Sequence, residues 1–471
     1  MALSINCTTA ALPPPSVFGA EIVSVEASLV QNYSATVKGE YFFGHPTIQA
    51  NNLAFCNVTV THTHPGWDDT LLTNIWLPAD SWNGRMQAIG GGGMVAGMFP
   101  LSYIGMAGAV ADGYASVSIN GGLPDEDATK WALTSPGNVN LYLLEDFAAR
   151  SLADGTLIAK SIIDSFYGRP TEYSYWSGCS QGGRQGFMLA QRYPTLYDGI
   201  HASAPAINWN EFLVGDLWPQ QVLSELGSYP HACELDALTA AAIAACDGLD
   251  GVVDGLISDV DGCHFSPYPL VGTPIPCASV NHTAPPSASS PTGSPTSSPP
   301  LPPSRSTNLP RSTYLSLYHA ATTSPHLSAL SPTPSLAAFH AAGGKLLTYH
   351  GTADPLIPLG NTRHHHARAA AAHPRLRDFF RYFEAPGVGH CAGGAGPQPE
   401  GAFAALVAWV ERGEAPEVLV ERMAGGGGGG ERVLCLYPGR AVWDGVGEVG
   451  EVGSWRCEGE GEGEEEEREE L

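Results

Sequence analysis

The residues best suited to chemistry are Ser180, Asp354 and His390, in that order along a chain of 471 residues. Ser180 sits in Gly178-Cys179-Ser180-Gln181-Gly182, after the strand-like Tyr173-Ser174-Tyr175-Trp176 and before a helical stretch from Arg184 to Arg192. A serine at a sharp strand-to-helix turn is held out of the backbone path. Glycines two residues to either side are required there, because a side chain would clash. The same pentapeptide can arise by chance as an inert turn in a glycine-rich chain. Strand, turn and helix in the demanded order favour instead a nucleophile that attacks a carbonyl carbon. Asp354 lies in Gly351-Thr352-Ala353-Asp354-Pro355, just past a strand-like run from Gly343 to His350. His390 lies in Gly387-Val388-Gly389-His390-Cys391, after a second such run from Phe379 to Glu384. The imidazole would take the serine proton while the carboxylate fixes its tautomer and stabilises the imidazolium.

Met86-Gln87-Ala88-Ile89 reads as a buried strand that ends in Gly90 to Gly93. Successive glycines leave N–H groups uncovered, so Gly91, Gly92 or Gly93 can join the Gln181 N–H in an oxyanion hole; a flexible loop is the alternative. Cys179 precedes the serine and Cys391 follows the histidine. If serine and histidine meet, the Cα atoms of these neighbours fall within the roughly 4.4 to 6.8 Å that a disulfide spans, so a Cys179–Cys391 bridge is expected. A free reactive Cys179 is less favoured, because the hydroxyl is better placed. Among other histidines, His201 reads as packed or surface-lying and His350 as a second-choice base. His364, His365 and His366 stand at a helix start with side chains in different directions, which argues for a solvated cluster over a metal site.

A separate acidic loop runs from Cys246 to Ile257, with Asp247, Asp250 and Asp254 spaced by three and four residues among glycines. Such a loop can curl hard oxygen ligands onto one Ca²⁺, or remain a solvated acidic turn. Cys246 and Cys263 bracket it and can staple it shut. Cys7 and Cys56 can likewise pin the first β-rich segment, Phe18 to Thr61, to the body.

The elements around these residues point to an α/β fold. Met86 to Ile89, Ala115 to Ile119, the run before Ser180 and Gly199 to Pro205 read as strands, with helical stretches near Leu141 to Lys160 and after the elbow; this suits a mostly parallel sheet with flanking helices. Residues 1–208 and 336–457 form the two parts of that core. Residues 209–335 form an inserted lid, which includes the acidic loop (247–256) and a Pro/Ser/Thr-rich stretch (281–311) too polar to bury a core. Residues 458–471 form an acidic tail with nine Glu and one Arg.

The formal net charge of -25 argues against nucleic acid as a partner. No apolar run reaches the length of about eighteen residues that suggests a membrane span. Ten cysteines suit a disulfide framework and an oxidising compartment, and sequons at Asn6, Asn32, Asn57 and Asn281 agree with a glycoprotein. No signal-peptide pattern is visible at the N-terminus, so secretion is inferred from the cysteines.

With Gly178-Cys179-Ser180-Gln181-Gly182-Gly183-Arg184, His350-Gly351-Thr352-Ala353-Asp354 and Pro386-Gly387-Val388-Gly389-His390-Cys391 in place, the chain resembles the tannase and feruloyl esterase family. The resemblance implies an α/β-hydrolase core with a lid domain and an extracellular serine carboxylic ester hydrolase acting on feruloyl or galloyl esters, free or polysaccharide-linked. It implies no organic cofactor, but a structural Ca²⁺ in the lid, held by Asp247, Asp250 and Asp254 with backbone oxygens of Val252 and Leu256. It also implies a terminal Cys435–Cys457 disulfide, and leaves Cys233 and Cys277 to each other. Family members carry a longer folded lid where this chain has its Pro/Ser/Thr stretch, so the lid is reduced, and the glycines from Gly425 to Gly430 and the acidic tail depart from the family. A catalytically impaired binding protein on the same scaffold is the alternative reading.

Overall fold

The computed structural model describes residues 7–274, 309–422 and 430–459. The Pro/Ser/Thr stretch from 281 falls outside these residues until its last few positions, as do Asn6, Cys277, Asn281, Gly425 to Gly429 and the tail from residue 460.

Nine strands form one sheet: β1 (Glu21–Val37), β2 (Ile48–Thr63), β3 (Leu71–Pro78), β4 (Arg85–Ile89), β5 (Ala115–Ile119), β6 (Tyr173–Cys179), β7 (Gly199–Ser203), β8 (Lys345–Gly351) and β9 (Phe380–Ala385). Their spatial order is β1-β2-β3-β5-β4-β6-β7-β8-β9. From β5 onward every neighbour is parallel, whereas β1, β2, β3 and β5 pair antiparallel. The β-rich opening is thus a long twisted hairpin added to one edge of a parallel sheet.

Side chains of a strand alternate between faces, and a sheet covered on both sides buries both sets. Here Trp176, Leu346 and Tyr382 face one core, while Tyr175, Leu347 and Phe383 face the other. The first core is closed by Ile158, Ala159, Ile162 and Ile163 of α3 (Arg150–Tyr167) and by Phe187, Leu189 and Ala190 of α4 (Gln181–Arg192). The second is closed by Met106, Ala107 and Val110 of α1 (Pro100–Ala111) and by Phe403, Leu406 and Trp409 of the helix Ala402–Arg412.

Some expectations change. The helical stretch near Leu141 to Lys160 is two helices, α2 (Leu141–Ala148) and α3, separated at Ala149, whose backbone leaves the helical region at φ -170° and ψ -23°. The three histidines are not a solvated cluster at a helix start. They lie within the helix Leu359–Ala372, and His365 is fully buried because its helical angle turns it onto the sheet, against Phe187. The region after Trp209 holds helices Trp209–Gly215, Trp218–Leu226, Ala232–Cys246 and Arg311–Thr323. Two further hairpins, Val418–Arg422 with Glu431–Cys435 and Arg440–Trp443 with Trp455–Glu458, complete the C-terminal end.

Candidate active site

β6 delivers Ser180 into a turn with φ 61° and ψ -121°, a conformation in which few non-glycine residues rest, and α4 begins at the next residue. A Cβ on Gly178 would lie 2.6 Å from the backbone carbon of Gly182, so the elbow closes only because both flanking positions are glycine. The Ser180 N–H donates to the Ser203 carbonyl at the end of β7 (3.1 Å), and the Ser180 carbonyl accepts from the Ala206 N–H (3.0 Å). Ala204 and Cys391, in the adjoining loops, also have positive φ, 35° and 64°. Strain of this kind persists only where surrounding contacts fix the backbone.

Asp354 follows the end of β8 and His390 follows β9, so neighbouring parallel strands bring both to one edge of the sheet. His390 Nδ1 donates to Asp354 Oδ2 at 2.8 Å. His350 Nε2 stands 3.2 Å from the same oxygen, and the N–H groups of Leu356 and Ile357 donate to Oδ1 at 2.8 and 2.9 Å. Burial alone would raise the Asp354 pKa, but the hydrogen bonds from His350 and His390 outweigh it and hold this carboxyl well below the usual range. His350 is no second-choice base: it is fully buried, with Nδ1 on Thr362 and Nε2 shared between Asp354 and the Ile357 carbonyl. His201 is packed, fully buried against the Tyr349 ring.

Cys179 and Cys391 are bonded, with Cα atoms 5.8 Å apart, across a sequence separation of 212 residues. This link, packed with Ala204 and Phe43, ties the residue before Ser180 to the residue after His390. Among the described residues no hydrogen bond joins Ser180 to His390; catalytic hydrogen bonds are often loose before substrate arrives. The bridges Cys7–Cys56, Cys246–Cys263 and Cys435–Cys457 are also formed. Cys233 is disulfide-bonded too, and the expected partner Cys277 lies outside the described residues.

The glycine loop after β4 approaches the elbow closely: a Cβ on Gly182 would lie 2.9 Å from the Gly91 carbonyl oxygen. Two of its N–H groups are already in use, which corrects the assignment of Gly91 and Gly92 as oxyanion donors. Gly91 donates to Gln185 Oε1 (2.9 Å) and Gly92 to the Val95 carbonyl (3.2 Å). Gly93 has open space around it, and the Gln181 N–H stands in the first turn of α4, where a helix provides no acceptor. Gln185 is a residue that sequence reasoning missed. Fully buried, it also donates from Nε2 to the Ala96 carbonyl (2.8 Å) and so clamps both ends of the glycine loop to α4. Its only sequence signal is a glutamine one turn beyond Gln181. Arg184, also fully buried, donates to the carbonyls of Phe147, Ala148 and Leu330 and to Gln181 Oε1, tying α4 to α2 and to the lid region.

In the acidic loop Asp247 accepts from the N–H groups of Asp254 and Gly255, Asp250 from Val252, and Asp254 from Leu256 and from Arg432. Asp250 Oδ2 is buried without a hydrogen-bond partner among the described residues. Burial raises the Asp254 pKa, with Arg432 opposing it. Arg432 stands 3.9 Å from the Asp250 oxygen; hard oxygen donors turned into one curled loop, one of them without a hydrogen bond, fit a Ca²⁺.

Residues 56–296 and 307–458 match the family described as "Tannase and feruloyl esterase". A probable feruloyl esterase of Arthroderma benhamiae is 36% identical over 92% of this chain and 90% of its own length. A tannase of Aspergillus oryzae is 27% identical over 86% of this chain and 87% of its own. Of solved structures, a tannin acyl hydrolase from Aspergillus niger superposes with a TM-score of 0.78 at 26% identity, covering 96% of this chain and 94% of that one. An elbow serine, an aspartate–histidine pair on the next strands and a match through nearly the whole chain lead to one conclusion: the chain belongs to the tannase and feruloyl esterase family of carboxylic ester hydrolases.

Proposed function

We propose that this protein is a secreted serine esterase that hydrolyses esters of phenolic acids, feruloyl or galloyl, through an acyl-enzyme on Ser180. His390 takes the hydroxyl proton as Ser180 attacks the ester carbonyl, and Asp354 holds the imidazole in the tautomer whose Nε2 is free to accept it. The tetrahedral oxyanion is stabilised by the Gln181 N–H, with Gly93 as the remaining donor on the glycine loop. His390 then protonates the departing alcohol, and a water activated by the same ring releases the phenolic acid.

The observation that carries this reading is the Cys179–Cys391 bridge together with the 2.8 Å His390–Asp354 hydrogen bond, which keep base and nucleophile neighbours together. The names of the relatives, feruloyl esterase and tannase, supply the substrate class. Initial rates on methyl ferulate and methyl gallate, with Ser180→Ala as control, test it. Equal rates in parent and variant would refute the mechanism, and failure of a fluorophosphonate to label Ser180 in folded protein would favour a binding protein.

Asp247, Asp250 and Asp254, with the backbone oxygens of Val252 and Leu256, would hold a structural Ca²⁺. The Asp250 oxygen that has no hydrogen-bond partner among the described residues, with only Arg432 at 3.9 Å, supports this reading. Chelation should lower the melting temperature while leaving fluorophosphonate labelling of Ser180 intact at lower temperature; unchanged melting in EDTA would remove the calcium.

A further inference from the structure

A second set of ligand-type side chains lies apart from both sites, where the end of β2 meets the α2–α3 break. His64, Asp69 and Asp146 each present one ligand-type atom, and these atoms lie within 4.8 Å of one another. All three residues are buried, Asp146 completely. We propose that they bind a divalent transition-metal ion of the zinc class through His64 Nδ1 and one oxygen from each aspartate.

Four features support the assignment. First, Asp146 is a fully buried carboxyl whose two oxygens have no hydrogen-bond partner among the described residues, and its Oδ1 stands 3.6 Å from His64 Nδ1. A buried charged carboxyl without a partner is costly, and it is relieved either by a proton or by a cation. Second, the outer contacts match those of a metal-bound histidine. His64 Nε2 donates to Asp154 Oδ2 (2.8 Å), which is itself held by Arg150 (2.6 Å). That bond fixes the ring so that Nδ1 faces Asp69 and Asp146, in the carboxylate–histidine–metal arrangement.

Third, Asp69 is oriented independently. Its Oδ1 accepts from the His64 N–H and the Thr63 hydroxyl, both at 2.8 Å, which leaves Oδ2 at 2.6 Å from Nδ1. An ion there takes the place of the proton shared between Nδ1 and Oδ2. Tetrahedral bonds of about 2.0 to 2.2 Å place two ligand atoms roughly 3.3 to 3.6 Å apart, so on binding the His64–Asp69 pair opens from 2.6 Å while the wider separations close. Fourth, His62, next to the end of β2, has both ring nitrogens buried without a hydrogen-bond partner among the described residues, and its ring centre is 6.2 Å from that of His64. It stands beside the three ligands rather than among them. One imidazole and two carboxylates favour zinc-class ions over Ca²⁺, which prefers oxygen alone.

Because the site is closed, the ion enters as the chain folds. The test is to unfold the full-length protein in urea and chelator with its disulfides intact, refold it with Co²⁺ in place of the native ion, and read visible absorption. One equivalent of Co²⁺ with low-symmetry nitrogen/oxygen bands, displaced when Zn²⁺ is present during refolding, is expected. Asp146→Asn should abolish that signal while far-ultraviolet circular dichroism stays native. Asp154→Asn, which alters only the outer contact, should weaken binding about 10- to 100-fold. Asp250→Asn in the acidic loop should leave it unchanged. Refolded parent protein without Co²⁺ bands, or bands equally strong in Asp146→Asn from exposed histidines, would overturn the site and leave a proton shared between Asp146 and Asp69 as the charge balance.

Discussion

Asp354 faces two imidazoles, and only one of them is free to do chemistry. His390 is part-exposed and uses one nitrogen on the carboxylate, whereas His350 has both nitrogens engaged within the protein. The depressed pKa of Asp354 has a thermodynamic consequence. A carboxyl whose folded pKa lies below its unfolded value of about 3.9 contributes stability that is present above that value and declines as pH falls below it. The melting-temperature gap between parent and Asp354→Asn should therefore stay constant down to about pH 5 and shrink below about pH 4. At Ser180, alanine should lower kcat by about 10⁴-fold or more with the melting temperature little changed, measured by single-turnover hydrolysis. Gln185→Leu removes the acceptor of the Gly91 N–H and the donor to Ala96. It should lower kcat by roughly 10- to 100-fold, less than loss of a direct oxyanion donor, with KM less affected.

At the scale of elements, the elbow depends on backbone touching backbone. Gly178 and Gly182 leave no room for a methyl group, and a Cβ on Gly183 would lie 2.6 Å from the Ser203 carbonyl oxygen. Gly178→Ala should destabilise the protein by about 1 to 3 kcal/mol and cost activity beyond that loss, because α4 must move away from β6 to admit the side chain. Urea denaturation beside rate measurements separates the two effects. The connection between β1 and β2 brings Phe43 against the Cys179–Cys391 bridge beside Ser180. The role of the antiparallel hairpin β1–β2 is to extend the sheet and to carry His62 and His64 to the α2–α3 break.

Across the whole molecule, the Cys179–Cys391 bridge closes 212 residues of chain, including the lid, between its ends. Replacing both cysteines by alanine should lower stability by about 2 to 5 kcal/mol and release His390 from register with Ser180. Thermal melting and fluorophosphonate labelling rate report the two losses separately. Labelling that survives at the parent rate would mean that the strand ends position the pair without the sulfur link.

The nucleophile elbow, the order of serine, aspartate and histidine, and three cysteine pairs were legible in the residues themselves; Cys435–Cys457 came from the family resemblance. The elbow and the chain order rest on local constraints: a turn that only glycine permits, or a loop that follows a strand. The division of α2 from α3, the burial of His365 and the use of the Gly91 and Gly92 N–H groups were not. They depend on contacts that spacing does not show: Gln185, 94 residues on, takes the Gly91 N–H, and the fold of the glycine loop itself turns the Gly92 N–H onto Val95. The same holds for Asp146 and His64, 82 residues apart in numbering, whose meeting at 3.6 Å follows only from α2 folding over the end of β2. Spacing along a chain encodes the turns and strands that present a side chain. Which buried polar group it then faces is decided by close packing, where one partner excludes another.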